Sequence, residues 1–279
     1  MLFSILIANY NNGQYFKNCY DSIISQTYID WEVIIVDDGS TDNSIEIIEQ
    51  LISNNSKFKL YQNEKNYGCG YTKKKCVELS NGELCGFLDP DDMLEPNALE
   101  EMVLAHKQNP YASLIYSNNI LLNEDLSKNF QPAEKKNQVQ NGDLKFINSN
   151  GEIGHFSTFK RKMYSNTSGI SAYLKRAVDQ DLYLKLYEQG YVVFLDKFLY
   201  KYRIHNKGIS TLENKKLARY WYWVVIMETS KRRSIDFENE FAESFLLPDE
   251  CWITRQEANK NPFRIFKKLF QTIINKMKK

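Results

Sequence analysis

Short apolar runs, each ending in a polar cluster and each followed by a stretch of helical periodicity, constrain this chain most. Leu2 to Ala8 is apolar and of strand length, and it breaks at Asn9-Tyr10-Asn11. Phe16, Cys19, Tyr20, Ile23 and Ile24 then recur at helical spacing. Trp31 to Val36 is a second run, short and β-branched as a buried strand should be, and it stops at Asp37-Asp38-Gly39-Ser40. Ile45, Ile48, Leu51 and Ile52 make the next helical stripe, Phe58 to Tyr61 a weaker strand, and Tyr71 to Leu79 a helix after the Asn66-Tyr67-Gly68 turn. Leu84 to Leu88 is a strand that runs into Asp89-Pro90-Asp91-Asp92, Glu95-Pro96 opens another helix, and Ala112 to Tyr116 is a further strand. Strand and helix alternating in this way predict an α/β fold with a largely parallel sheet. Right-handed crossovers then bring the polar strand ends to one edge, where open α/β sheets bind ligands.

Asp89, Asp91 and Asp92 put three carboxylates within four residues. Carboxylates so close repel unless a cation sits among them, and Mg²⁺ or Mn²⁺ suits oxygen ligands and bridges to phosphates. A polar turn is the competing reading, because Asp and Pro are common in turns. Beyond Asn123 the alternation weakens. Residues 123–150 read as a long polar loop, 181–189 as a helix closed by Gly190, 191–195 as a strand, and 212–233 as an aromatic-rich helix. The five cysteines are scattered without a Cys-x-x-Cys pair, which fits thiols in a reducing compartment. No apolar run is long enough to span a membrane. The first residues read as a strand rather than a signal peptide. No Gly-x-Gly-x-x-Gly follows the first strand, which argues against a dinucleotide-binding dehydrogenase.

Four motifs carry a resemblance. Ser4-Ile5-Leu6-Ile7-Ala8-Asn9-Tyr10-Asn11, Val36-Asp37-Asp38-Gly39-Ser40-Thr41-Asp42, Asn66-Tyr67-Gly68 and Leu88-Asp89-Pro90-Asp91-Asp92 together resemble a bacterial family 2 glycosyltransferase of GT-A fold. The resemblance implies a Rossmann-like, mostly parallel sheet flanked by helices, followed by a helical C-terminal extension. It implies a glycosyltransferase domain over 1–210, with a nucleotide-sugar half at 1–118 and an acceptor half at 119–210, and an extension over 211–279. It implies inverting transfer from a nucleoside diphosphate sugar, a UDP-sugar in particular, to a glycan or lipid-linked acceptor in polysaccharide biosynthesis, with Mn²⁺ or Mg²⁺.

Carried over by position, Ala8, Tyr10 and Asp38 would contact the base and ribose, and Asn66 and Gly68 would lie in the donor loop. Asp89 would stand near the ribose or metal, and Asp91 would ligate the metal. Asp181, in Gln180-Asp181-Leu182, resembles the family's later acidic motif and is the expected general base, although a helix-start carboxylate is the alternative. The first acid of that motif is Gln180 here, and Asp179 lies just before it. In Tyr202-Arg203-Ile204-His205, His205 either completes the metal site or is structural, and Arg203 is a candidate partner of the diphosphate. Where the family often has Ala-Arg-Asn, this chain has Thr72-Lys73-Lys74, so Lys73 brings charge to a phosphate without a planar fork. Ser168-Gly169 replaces a Gly-Gly pair, and His155, Phe156 and Phe159-Lys160-Arg161 fall on the acceptor side.

The tail, 260–279, takes seven of the 36 basic residues and none of the 35 acidic ones, which leaves an acidic body unlike a nucleic-acid-binding domain. Phe263, Phe266, Leu269, Phe270, Ile273, Ile274 and Met277 recur at helical spacing among those charges. The pattern suits peripheral contact with the inner face of a cell membrane by a cytoplasmic protein, or else a terminal helix packed on the body. Two other functions fit less well. A catalytically inactive nucleotide-sugar-binding scaffold would not need Asp89, Asp91 and Asp181. A sugar-nucleotide nucleotidyltransferase would want a Gly-rich, Arg- or Lys-bearing loop where Asn9-Tyr10-Asn11-Asn12-Gly13 stands.

Overall fold

The computed structural model describes residues 1–126, 131–132, 135–205, 208 and 214–245. In chain order the elements are β1 (Phe3–Asn9), α1 (Gly13–Ile24), β2 (Trp31–Asp37), α2 (Ser44–Ile52), β3 (Phe58–Gln62), α3 (Cys69–Leu79), β4 (Leu84–Phe87), β5 (Met93–Leu94) and α4 (Ala98–Gln108). They continue as β6 (Ala112–Asn123), β7 (Gln131–Pro132), β8 (Ser157–Lys160), α5 (Arg161–Ser165), α6 (Val178–Tyr187), β9 (Tyr191–Ile204), α7 (Lys215–Arg233) and α8 (Phe237–Phe245). One compact unit runs Met1–Thr229 and a second Ser230–Lys279. The basic tail at 260–279, Ser210 and Cys251 lie outside the described residues.

One sheet carries the first unit, in the order β3-β2-β1-β4-β8-β6-β9-β5, with β7 paired to β6. The pairs β3–β2, β2–β1 and β1–β4 are parallel, as the alternating pattern predicts. Beyond β4 the sheet is mixed. The short strand β8 runs antiparallel to both β4 and β6, and β6 runs parallel to β9. The register fixes which side each residue faces. Phe3, Ile5 and Ile7 of β1 and Val33 and Ile35 of β2 share a core with Phe16, Cys19 and Ile23 of α1, Ile48 of α2 and Leu99 and Met102 of α4. Leu6, Ile34 and Val36 alternate with them and are equally buried, on the face where α3 packs against β1 and β2. The described cysteines are free thiols.

Two strands are much longer than their apolar runs suggest. β6 continues to Asn123 and β9 to Ile204, so that Tyr202 and Arg203 sit in regular strand. Asn118-Asn119 and Asp196-Lys197 interrupt those runs, and the two strands pair on both sides of them. The polar segment between β7 and β8 is irregular, as expected, but it is tied down. Tyr187 Oη accepts from Asp143 N at 2.9 Å, Phe146 stacks on the Tyr187 ring at 4.7 Å, and Asn141 bonds both polar groups of the Val192 backbone.

Two contacts tie neighbouring elements together. Gly70, in the first turn of α3, donates its N–H to Leu174 O at 2.9 Å. A Cβ at Gly70 would lie 2.5 Å from Ser171 O and 2.7 Å from Leu174 O, so only glycine fits against this segment. At the opposite end of the sheet, Ser4 and Glu32 are register partners. Glu32 is buried, and burial alone would raise its pKa. Hydrogen bonds from Lys59, the Asn81 backbone and Ser4 outweigh this and bring it down to about 2.

Glu32 therefore stabilises the fold through its charged form. Its folded pKa is about 2 and its ordinary value 4.5, so the contribution is present above pH 4.5 and is lost as the pH falls towards 2. Glu32→Gln is expected to cost about 1–3 kcal/mol at pH 7. In urea unfolding, the gap between wild type and variant should narrow as the pH is taken from 6 to 3. A gap independent of pH would mean that the charge of Glu32 is not what holds these strand ends.

Candidate functional site

The segments after β1 and β4 and the start of α3 meet the end of β9 and the start of α6 at one edge of the sheet. They enclose a cleft of about 150 Å³ whose walls include Ala8, Lys73, Asp89, Asp91, Asp179 and His205. The loops after β1 and β2 are laced together. Asp37 accepts from Asn9 Nδ2 at 2.7 Å and from Ser40 N at 2.8 Å, and Asn11 Oδ1 accepts from Thr41 N at 2.8 Å. Tyr10 stands between them, 41 % exposed. Asp38 is buried and spends its carboxylate on the third loop, accepting from Asn63 Nδ2, Tyr67 N and Gly68 N at 2.8 to 3.0 Å. An ionised carboxylate offers about four acceptor positions, so Asp38 shapes the Asn66–Gly68 turn and keeps a position for one more donor. Gly68 has φ +99°, and a Cβ there would meet open space, so it is the backbone angle that calls for glycine.

After β4 the chain closes a turn with Pro90 at its second position, Asp92 N donating to Asp89 O at 3.0 Å. The turn separates the three acids. Asp92 is buried beneath it, accepting from Tyr200 Oη and Arg203 N, each at 2.7 Å. Burial, with Asp91 and Asp89 beside it, pushes the Asp92 carboxyl well above the usual carboxylate range. Asp92 is thus a strut between the turn and β9. Asp91 pairs with His205, Oδ2 to Nε2 at 2.7 Å, and the imidazole packs 4.9 Å from the Tyr15 ring.

Asp89 and Asp179 share one cation. Lys73 Nζ lies 2.8 Å from Asp179 Oδ1, 3.3 Å from Asp89 Oδ1 and 4.9 Å from the centre of the Phe87 ring. Burial alone would lower the Lys73 pKa, but Asp179 and Asp89 raise it well above the ordinary value. Burial would likewise raise Asp179, and Lys73 and His155 outweigh it and lower it. The ammonium and the carboxylate are both charged. Arg176 also reaches the cleft wall, with Nη2 2.7 Å from Asn214 Oδ1, and His155 lines it, stacked 5.2 Å from the Tyr200 ring.

Two expectations change on this geometry. Asp181 does not line the cleft. Its side chain is 4 % exposed, both oxygens are within 2.9 Å of Lys185 Nζ, and one accepts from Ser171 N at 2.8 Å. Residues two apart on a helix lie about 200° apart around its axis, so with Asp179 in the cleft, Asp181 faces the body. Lys185, four residues on, is the signal in the sequence that marks Asp181 as half of an ion pair. Arg203, expected to pair with diphosphate, lines the cleft and also serves as a brace. Its Nε donates to Asp91 O at 2.8 Å, Nη1 to Glu124 O at 2.9 Å and Nη2 to Asn18 Oδ1 at 3.0 Å, with the guanidinium over the Tyr15 ring.

Among the described residues no cluster of three His, Cys, Asp or Glu side chains is arranged to hold a metal ion. Asp91 and His205 both line the cleft and are hydrogen-bonded to each other, Oδ2 to Nε2 at 2.7 Å, so a cation held by both would take the place of the proton between them. Mg²⁺-type ions are commonly held by one or two carboxylates, with substrate phosphates completing the shell. A carboxylate beside an imidazole freed of that proton suits such an ion.

The profile of glycosyl transferase family 2 matches residues 4–167. The chain is 29 % identical over 242 residues to a hyaluronan synthase of Pasteurella multocida and 30 % identical over 244 residues to a chondroitin synthase of Pasteurella multocida strain Pm70. Each match covers 85 % of this chain but 24 % of the relative, so the chain spans about a quarter of the length of these synthases. Among solved structures, residues 1–349 of S. aureus TarS in complex with UDP-GlcNAc match 82 % of this chain and 66 % of that one, with a TM-score of 0.66 and 20 % identity. The GT-A fold is common to both.

Arg203 gives the site a separable structural test. Arg203→Ala leaves three acceptors unpaired and is expected to destabilise the protein by about 3 kcal/mol or more. Arg203→Lys should recover only part of that, because an ammonium cannot reach three directions as a fork does. Denaturant midpoints check both, and wild-type stability in Arg203→Ala would free the guanidinium for a ligand role.

Proposed function

The chain belongs to glycosyl transferase family 2, and from that premise we propose that it transfers a sugar, with inversion, from a UDP-sugar to a glycan or lipid-linked acceptor in polysaccharide biosynthesis. The observation that carries the reading is that the ionised Asp179 lines the same cleft as Asp91 and His205. The synthases among the relatives, and the TarS structure bound to UDP-GlcNAc, support a glycan product and a UDP donor.

In this reading the base and ribose rest on Ala8, Tyr10, the fourth acceptor position of Asp38 and the Asn66–Gly68 turn. Asp91 and His205 would hold Mn²⁺ or Mg²⁺ beside the diphosphate, with Asp89 nearby. Such an ion, when bound, acts as a Lewis acid for the departing diphosphate. Asp179 takes the proton of the acceptor hydroxyl as its oxygen bonds to the anomeric carbon, while the bond from that carbon to the phosphate oxygen breaks and UDP leaves with the electron pair. Lys73 keeps Asp179 ionised until the proton arrives. The base expected at Asp181 is therefore assigned to Asp179.

The basic tail at 260–279 is assigned contact with an anionic membrane surface from a cytoplasmic location. No helix among the described residues is long and apolar enough to cross a membrane. Co-sedimentation with anionic vesicles at low salt should be lost on removing 260–279. Equal sedimentation of both proteins would end that assignment.

UDP should raise the melting temperature in the presence of Mn²⁺, and chelation or Asp91→Ala should abolish most of the shift. Asp179→Asn should retain the shift but lower UDP release from UDP-sugars by about 10²-fold or more. Asp181→Asn should lower the melting temperature instead, by breaking the buried pair with Lys185. A UDP shift indifferent to Mn²⁺ would remove the metal from the scheme, and normal turnover in Asp179→Asn would remove the base.

A further inference from the structure

Beside the cleft wall lies a group of aromatic side chains that the transfer scheme does not use. Tyr173 is 56 % exposed and Tyr220 is 61 % exposed. Trp221 is half-buried between them, 6.4 Å from the Tyr173 ring and 5.5 Å from the Tyr220 ring, which it meets edge-on. Leu217, 51 % exposed, precedes Tyr220 and Trp221 by three and four residues, so one face of α7 presents all three. Apolar surface left in water in this way, and rimmed by polar groups, marks an interaction site.

The position of the group says what it receives. Arg176 lines the cleft, and its bond to Asn214 joins the cleft wall to the residue that precedes α7. Tyr173 is three residues before Arg176, at most about 11 Å away along the chain, and Asp179 is three residues after it. The aromatic strip therefore borders the wall that carries Arg176 and Asp179, on the segment that packs against the first turn of α3. Its chemistry is also selective. Three rings and one aliphatic side chain, with an arginine and an amide beside them, suit a ligand with flat C–H faces and many hydroxyls. A peptide or lipid partner would ask for more aliphatic surface.

We propose that Tyr173, Tyr220 and Trp221 form an acceptor subsite that stacks the sugars lying behind the reacting end of an oligosaccharide. The proposal rests on the transferase reading, since it takes the reacting hydroxyl to lie at Asp179. It specifies that reading further: the acceptor is a glycan of several residues, held by its chain as well as by its end.

The test uses the full-length protein with UDP and Mn²⁺, and hexasaccharides of hyaluronan, of chondroitin and of N-acetylglucosamine as probes. Binding is followed by tryptophan fluorescence and by saturation-transfer NMR. At least one hexasaccharide should bind, with saturation transfer concentrated on its interior sugars. Tyr173→Ala and Trp221→Ala should each weaken it by about 3- to 10-fold, and Tyr173→Phe should hold wild-type affinity. The matching disaccharide should distinguish wild type from Tyr173→Ala by less than twofold. If Trp221→Ala fails to fold, the exposed substitutions Tyr173→Ala and Tyr220→Ala carry the same comparison. No binding of any hexasaccharide to wild type, or equal binding by the alanine variants, overturns the subsite. The absence of a UDP-dependent thermal shift in wild type would instead overturn the donor reading.

Discussion

One ammonium group holds this site together. Lys73 lies on α3, Asp89 just after β4 and Asp179 on α6, and the two carboxylates share the one buried ammonium. The carboxylates keep 29 % and 32 % of their side-chain surface exposed, so the desolvation cost falls on the ammonium, and losing both partners would leave its buried charge unmatched. The cluster also ties the end of β4 to the start of α6, which local hydrogen bonding within either segment could not do.

Around that cluster the polar groups divide into those that face the cleft and those that hold the former in place. Asp92, Arg203 and Tyr200 belong to the second kind. The Tyr200 hydroxyl accepts from Asp89 N at 3.3 Å and donates to Asp92, while the Arg203 backbone donates to the same carboxylate. Asp181 with Lys185 does the same for the segment before α6, reaching Gly169 O and Ser171. Side chains of the same chemical type thus do different work a residue or two apart, and burial decides which.

The parallel half of the sheet was legible in the sequence because its strands are short, buried on both faces and interrupted by polar loops. The long strands β6 and β9 were not, because Asn118-Asn119 and Asp196-Lys197 interrupt their apolar runs, and pairing keeps the chain extended through them. In the site, Asp91, His205, Lys73 and Ala8 line the cleft as the motifs suggested. Asp179 and Asp181 were harder to tell apart. Both are aspartates in the first turn of one helix, and motif spelling favoured the second, whereas helical rotation and the partner Lys185 favour the first as the cleft residue. Arg203 lines the cleft as well, and its role as a brace was not legible. An arginine in a motif suggests a ligand, but three protein acceptors stood within its reach, all from segments distant in the chain.

Gly70 gives the assembly a property that side-chain packing alone would not. α3 approaches the 171–174 segment backbone to backbone, with no Cβ between them. Lys73 is one turn further along α3, and Asp179 follows that segment closely in the chain. The distance between these two charges is then referenced to peptide groups, whose dimensions do not vary from one sequence to another. Interior side chains can be exchanged over generations, thinning or swelling the layers between sheet and helices, while the gap that the ammonium must span keeps its width.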